Sequence, residues 1–346
     1  MFEAVFALCL LADPAACRRV LLPGYEAASA EACAALLAAS PPSPAVPDGL
    51  SGGTPECRDQ GEVAAFEEVA DGVFAHRGII ADADAANGGD VSNAVFVIGE
   101  EAVAVIDTGG ARQVGEAIFR AIRARTDLPV RHVILTHMHP DHVLGASVFA
   151  DAGAEVIGHA GLARALADRA ETYLTNFGER IGLPAFLGTT ILPPDIAVEA
   201  LMTLDLGGRV LDLRPWPPAH TGTDLTVVDR KTGTLIAGDL LFHEHTPALD
   251  GSLRGWQGVM EKLEGEPFER VVPGHGGPVL DWPGGATDLD RYLSVLAKDT
   301  REAIARGDTL GEAIRSVGQE EAGRWELFEL FNARNATVAY TELEWE

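Results

Sequence analysis

The stretch THMHPDH (Thr136–His142) follows the apolar run VIL (133–135) and places three histidines and one aspartate within six residues. Imidazoles at i, i+2 and i+5 match neither a helix stripe nor one face of a strand. Side chains of this kind suit a cation held at the end of a strand, and other strand ends must then converge on the same point. Five of the ten histidines meet that condition: His137, His139, His142, His220 in PPAHTGTD, and His275 in PGHGG. Asp141 and Asp239, the latter in AGDLLF, meet it too.

Seven donors suit two cations better than one. Imidazole and carboxylate are suitable ligands for zinc, and a catalytic zinc keeps a position open for water. His137, His139 and His220 are assigned to one metal, and Asp141, His142 and His275 to the second. Asp239, with two carboxylate oxygens, is the natural bridge. Two dications, two carboxylates and a bridging hydroxide leave about one net positive charge at the centre by formal counting, a setting for a developing oxyanion. Asp141 and Asp239 are expected to orient that hydroxide and so to be the catalytic residues.

Strand-type runs occur at 73–80, 93–109 (a hairpin turning at Gly99–Glu101), 131–136, 225–239 (turning at Lys231–Gly233) and 269–274. Helical patterns occur at 113–125, 162–175, 286–306, 308–317 and 321–333. The Trp325, Phe328 and Phe331 spacing in the last reads as core packing. This order predicts an α/β sandwich with sheets inside and helices outside. Residues 1–40 form a small Ala- and Cys-rich N-terminal segment in which Ser29 caps a helix. Residues 41–62, rich in Pro, Gly and Ser, read as a linker. Residues 63–346 are the main domain with C-terminal helices.

Charge narrows the partners. With 26 basic and 52 acidic residues the chain has a net charge of −26, which disfavours nucleic acid and anionic membrane surfaces and leaves a small-molecule substrate. The cysteines Cys9, Cys17, Cys33 and Cys57 contain no CxxC pair. Two disulfides and four free thiols fit the spacing equally. The apolar run at 4–12 is too short to span a membrane and lacks the basic flank of a signal peptide. A cytoplasmic location is expected from that, and a periplasmic one if the cysteines are paired.

HxHxDH at 137–142, the histidine in AHTGTD, the aspartate in GDLLF and the histidine in PGHG, in that order, resemble the metallo-β-lactamase superfamily of metal-dependent hydrolases. The resemblance covers roughly residues 63–280. It implies a four-layer αβ/βα sandwich with a dinuclear site at one edge, binding two zinc ions. It also implies that Asp107 in IDTG supports the site without binding metal, and that the loop 81–93 lies near its mouth. β-Lactamases of this family carry Cys or Ser where GDLLF has Asp239; the aspartate resembles the hydroxyacylglutathione hydrolases, whose glutathione-binding helical domain the C-terminal part does not resemble. GDLLF, TPALDGSLRGW (246–256) and the ending FNARNATVAYTELEWE (331–346) more narrowly resemble the quinoprotein relay system zinc metallohydrolases, which implies a link to a quinoprotein dehydrogenase pathway.

The expected activity is therefore attack on an acyl carbonyl of a thioester, lactone or related ester or amide. A single iron performing sulfur oxidation, or a non-catalytic quinone-binding protein, are the competing readings. His243 and His245 are candidate proton shuttles or plain loop residues. Arg254 is a candidate for binding a substrate carboxylate or a surface ion pair. His76, His132 and His159 read as packing or surface residues.

Overall fold

In the computed structural model, which describes residues 1–346, the apolar strand-type segments build two large sheets. The first has the order β11-β10-β9-β8-β7-β6-β5. Its strands are β5 (Glu67–Ala70), β6 (Val73–His76), β7 (Ala94–Ile98), β8 (Val103–Ile106), β9 (Val130–Leu135), β10 (Glu155–His159) and β11 (Ile196–Val198). The second runs β12-β13-β14-β15-β16-β17. It consists of β12 (Met202–Asp205), β13 (Val210–Pro215), β14 (Leu225–Asp229), β15 (Thr234–Phe242), β16 (Arg270–His275) and β17 (Leu280–Asp281). β8, β9, β10 and β11 pair in parallel, as do β15 and β16; the hairpin-linked strands pair antiparallel.

Ile106, Ile134, Leu211, Leu213, Val227, Ile236 and Val272 meet between the sheets in an apolar core drawn from both. Because β8 and β9 are buried on both faces, they read as continuous runs (VAVI, VIL) rather than alternating ones. The outer face of the first sheet is covered by α2 (Arg112–Arg123), α4 (Ser147–Asp151) and α5 (Leu162–Ile181), with the short α3 (Pro140–Val143) between. The outer face of the second is covered by α6 (Leu253–Glu264), α7 (Thr287–Arg306), α8 (Leu310–Ser316) and α9 (Phe328–Leu343). The result is the expected four-layer αβ/βα sandwich. No helix is long and apolar enough to cross a membrane.

The N-terminal segment is a sheet of its own. β1 (Phe2–Leu10) pairs with β2 (Cys17–Ala27), β3 (Leu50–Gly52) and β4 (Glu56–Asp59). Helix α1 (Ala30–Ala39) packs on it, with the Ser29 side chain accepting from the Ala32 amide as its N-cap. Residues within the stretch read as a linker thus return as β3 and β4. A linker reading follows composition, whereas strand formation here follows from the unpaired edge of β1. The cysteines form two disulfides, Cys9–Cys17 and Cys33–Cys57.

Two element readings change. The last helix starts at Phe328, not 321, and runs on to Leu343; Trp325 lies in the preceding turn and is buried. Helix α6 has no counterpart among the predicted helices, because two glycines interrupt LRGWQGVMEKLE. Its buried face of Leu253, Trp256, Val259, Met260 and Leu263 outweighs their cost.

Candidate metal centre

Strand and helix ends deliver the predicted donors to one place. His137 and His139 follow the C-terminal end of β9, and Asp141 and His142 lie on α3, whose first residue is Pro140. That proline suits a helix start because its missing N–H would be unpartnered there anyway. His220 precedes β14, Asp239 lies in β15, and His275 is the last residue of β16. The β15–β16 register slips on both sides of Gly238, a bulge that re-aims the carboxylate next to it. Gly274 gives that carboxylate room: a Cβ there would lie 1.9 Å from Asp239 Oδ1.

These side chains cluster in two sets that could each hold a metal ion, His137, His139, His220 and Asp239 in one, and Asp141, His142 and His275 in the other, each within 4.8 Å. Asp239 faces both. Its Oδ2 lies 3.6 Å from His137 Nε2, 3.3 Å from His220 Nε2 and 3.4 Å from His275 Nε2, and its Oδ1 lies 3.2 Å from His142 Nε2.

Each imidazole is held from behind. His142 Nδ1 donates to Asp107 at 2.8 Å, His275 Nδ1 to the Val91 carbonyl at 2.9 Å, and His220 Nδ1 to the Ala248 carbonyl at 2.5 Å. The Thr136 hydroxyl gives its proton to Asp107 at 2.8 Å and so accepts from His137 Nδ1 at 3.0 Å. His139 Nε2 lies 3.5 Å from Asp250 Oδ2. These acceptors favour the proton on the outer nitrogen of each ring, which turns the inner nitrogen's lone pair to the centre when the ring is neutral.

Those lone pairs are the test of fit. His139 Nδ1 faces His220 Nε2 at 3.0 Å, and His142 Nε2 faces His275 Nε2 at 3.4 Å, so the inner ring nitrogens converge in pairs that need a cation between them, a proton or a metal ion. His137 Nε2 and Asp239 Oδ1 are buried without any hydrogen-bond partner. Converging acceptors repel one another unless a cation lies among them, and buried unpartnered polar atoms are costly. This donor set fits metal ions, of the nitrogen–oxygen type that zinc and iron share.

The electrostatics point the same way. Burial opposes charging of His142, yet Asp239, Asp141 and Asp107 hold it well above the usual histidine value. His275, under the same opposition, is raised by Asp239 and Asp141 to about 9. Burial lowers His220 to about 3, and burial together with the neighbouring imidazoles lowers His137. Asp239 and Asp141 are held low despite burial by the surrounding histidines. A field that draws protons onto buried imidazoles also draws metal cations, which displace those protons.

The donors open onto a cavity of about 620 Å³, with His139, Asp141, Asp239 and His275 on its floor. Its walls come from α5 (Tyr173, Phe177), α9 (Leu330, Phe331, Arg334) and the loop 81–93, of which Asp82, Ala83 and Val91 line it. The loop's end is fastened to the centre. Ser92 Oγ donates to the Asp141 carbonyl at 2.5 Å, and Asn93 Nδ2 donates to the Pro273 and Gly276 carbonyls. Ser92, Asn93, Thr136 and Asp250 lie in stretches quoted from the sequence, but nothing there marked them as side chains that hold the centre.

Other readings sort cleanly. His245 is buried, lines the cavity, and donates from Nδ1 to the Thr246 carbonyl at 2.6 Å, with its ring 4.6 Å from that of His275. His243 lines no part of it. Arg254 pairs with Glu342 at 3.1 Å and Glu346 at 3.5 Å and does not reach the cavity, so it is a surface ion pair. Phe331, read as core, lines the cavity instead, because the displaced start of α9 changes the face it occupies.

Comparison with solved structures places the fold. A metallo-β-lactamase from Pontibacter korlensis superposes with a TM-score of 0.54 at 20% identity, covering 66% of this chain and 98% of that one. The metallo-β-lactamase DIM-1 gives 0.52 at 17%, covering 67% and 97%. The stereoselective inverting sec-alkylsulfatase Pisa1 from Pseudomonas sp. gives 0.61 at 16%, covering 81% of this chain and 50% of that one. Residues 87–275 match the family described as the metallo-beta-lactamase superfamily, more than half of the chain, and the protein belongs to that superfamily.

Proposed function

We propose that the protein is a dinuclear zinc hydrolase that attacks the acyl carbonyl of a thioester, lactone or related ester or amide. The observation that carries this reading is Asp239, whose two oxygens face the histidines of both donor sets. His137, His139 and His220 would hold one ion, and Asp141, His142 and His275 the other, with Asp239 shared. Bound zinc supplies a water acidified toward pKa ~7 and a Lewis acid for the carbonyl.

The chain's own residues supply the rest. Asp141 lies on the cavity floor with its Oδ2 3.3 Å from His275 Nε2, so one carboxylate reaches both the donor set and the substrate space. It is positioned to accept a hydrogen bond from the attacking water and to hold it in line. Asp107 fixes His142 and, through Thr136, His137. Val91, Phe242, Leu249 and Phe331 restrict water around the reacting carbonyl. The two disulfides support an oxidising compartment such as the periplasm. That location, with the GDLLF and C-terminal resemblances, supports a place beside a quinoprotein dehydrogenase system.

Elemental analysis of protein purified without chelator tests the reading. About two zinc per chain is expected, with acyl hydrolysis lost on chelation and restored by zinc. One iron and little zinc would overturn it in favour of oxygen-dependent sulfur chemistry.

A further inference from the structure

The cavity above the donors lies between two helix faces. On α9, Leu330, Phe331, Arg334 and Val338 face it; on α5, Arg169, Tyr173, Phe177 and Arg180 do. Its volume of about 620 Å³ is that of sites that enclose a molecule of some tens of heavy atoms. The apolar members of both faces suit an aliphatic or aromatic body.

The cations differ from one another. Arg180 is engaged by Asp82, and Arg169 lies 3.6 Å from Asp250. Arg334, exposed at the rim of the cavity, forms no ion pair and no side-chain hydrogen bond with the protein, although acidic residues outnumber basic ones 52 to 26. Nor does it sit on a loose support. Asn335 beside it donates to the Pro247 carbonyl at 2.6 Å and to Tyr292 Oη at 2.8 Å, and accepts from the Leu249 amide at 2.9 Å. The Thr246 hydroxyl donates to the Glu326 carbonyl at 2.7 Å. The Asn335 bonds tie α9, and the Thr246 bond ties the turn before it, to the segment 246–249, next to Asp250 behind His139. A free guanidinium is thereby presented to the cavity from a fixed helix, and its planar fork matches an oxyanion.

We propose that the substrate of this centre is an amphiphilic anion, with an apolar body between α5 and α9 and a carboxylate or sulfonate-type group bound by Arg334. The inference rests on the reading of the cavity as the active site and names the class of molecule that enters it. Arg334 is a binding and specificity residue; it takes no part in the chemistry at the carbonyl.

The probe pair is 8-anilinonaphthalene-1-sulfonate and N-phenyl-1-naphthylamine, which share an aromatic body and differ in the sulfonate. Fluorescence titrations use the protein as purified and, in parallel, after chelation, so the arginine is read apart from any metal. The wild type is expected to prefer the sulfonate. Arg334→Gln should weaken the sulfonate about tenfold, the scale of one charge-assisted hydrogen bond, and leave the neutral amine unchanged. Arg334→Lys should recover part of the loss. Displacement by naphthalene-1-carboxylate and naphthalene-1-sulfonate then tells which oxyanion is favoured. Equal weakening of both probes, no weakening of either, or no preference in the wild type would overturn the proposal. The outcomes separate the two readings. One iron per chain with an intact sulfonate preference overturns the zinc hydrolase alone, and two zinc with acyl turnover but no sulfonate preference overturns the anion alone.

Discussion

Asp107 carries a backbone φ of 59°, a left-handed conformation that non-glycine residues adopt at a cost. Its carboxylate accepts from the Thr136 amide at 2.9 Å, from the Thr136 hydroxyl and from His142 Nδ1. The strain is held in place because three donors require the acceptor at that spot. Asp107→Asn should keep the fold and weaken metal binding roughly 10–100-fold, as loss of an outer-shell carboxylate does, measured by chelator competition. Gly274→Ala acts from the other side, since the added methyl overlaps Asp239 Oδ1. It should destabilise the protein by about 1–3 kcal/mol and lower metal content, which elemental analysis and thermal melts would show together. His76, away from the donors, reports on pH. Both its nitrogens face acceptors, Asp90 at 2.7 Å and the Ala65 carbonyl at 2.8 Å. Burial opposes its charge, but those partners outweigh burial and hold its pKa above the usual 6.5. A raised folded pKa stabilises below the unfolded value and loses that contribution as pH rises through the folded one. Melting temperature should therefore fall above pH ~6.5 in the wild type and fall less in His76→Gln.

At the scale of elements, α2 shows where patterning misleads. Its buried positions include Arg112, Glu116 and Arg120, spaced four apart like a solvent face. They are buried because the N-terminal sheet lies on them. Arg120 donates twice to Glu3 at 2.8 Å, Arg112 donates to the Leu21 carbonyl at 3.1 Å, and Glu116 accepts from the Leu21 amide at 3.2 Å. Glu3→Ala leaves buried Arg120 with only Glu116 at 3.9 Å and the Glu62 carbonyl, and should cost about 3 kcal/mol, seen as a lower melting temperature and faster proteolysis of residues 1–62. The Cys33–Cys57 bridge closes a separation of 24 residues within the same unit. Its reduction should destabilise that unit by roughly 3 kcal/mol while the metal content stays unchanged, a separation that calorimetry with parallel elemental analysis resolves. α9 is the second case. Periodicity at Trp325, Phe328 and Phe331 suggested one continuous helix, but Leu327 takes a φ of 59° and the helix begins after it.

Across the whole molecule the seven donors span residues 137 to 275, so the centre exists only when both sheets are closed on one another. Metal binding and folding are then linked, and chelation should lower the melting temperature, with recovery on adding zinc back. The sequence alone determined the superfamily and the layered α/β fold, and it singled out the seven residues that the structure brings together, because ligand chemistry admits few residue types and strand ends admit few spacings. Asp107 was legible only through the resemblance of IDTG to the superfamily's motif, since a residue that binds no metal has no ligand spacing to mark it. The tertiary structure decided what has no local signature. The linker-like residues 50–59 became strands because β1 offered an edge, and the cysteines paired because that sheet brought them together. The parts played by Thr136, Asp250, Ser92 and Asn93 show only in their contacts. Arg254 was singled out in the sequence and Arg334 was not; only their neighbours in space distinguish a surface ion pair from an unpaired cation at the site, because pairing is a property of distance and not of residue type.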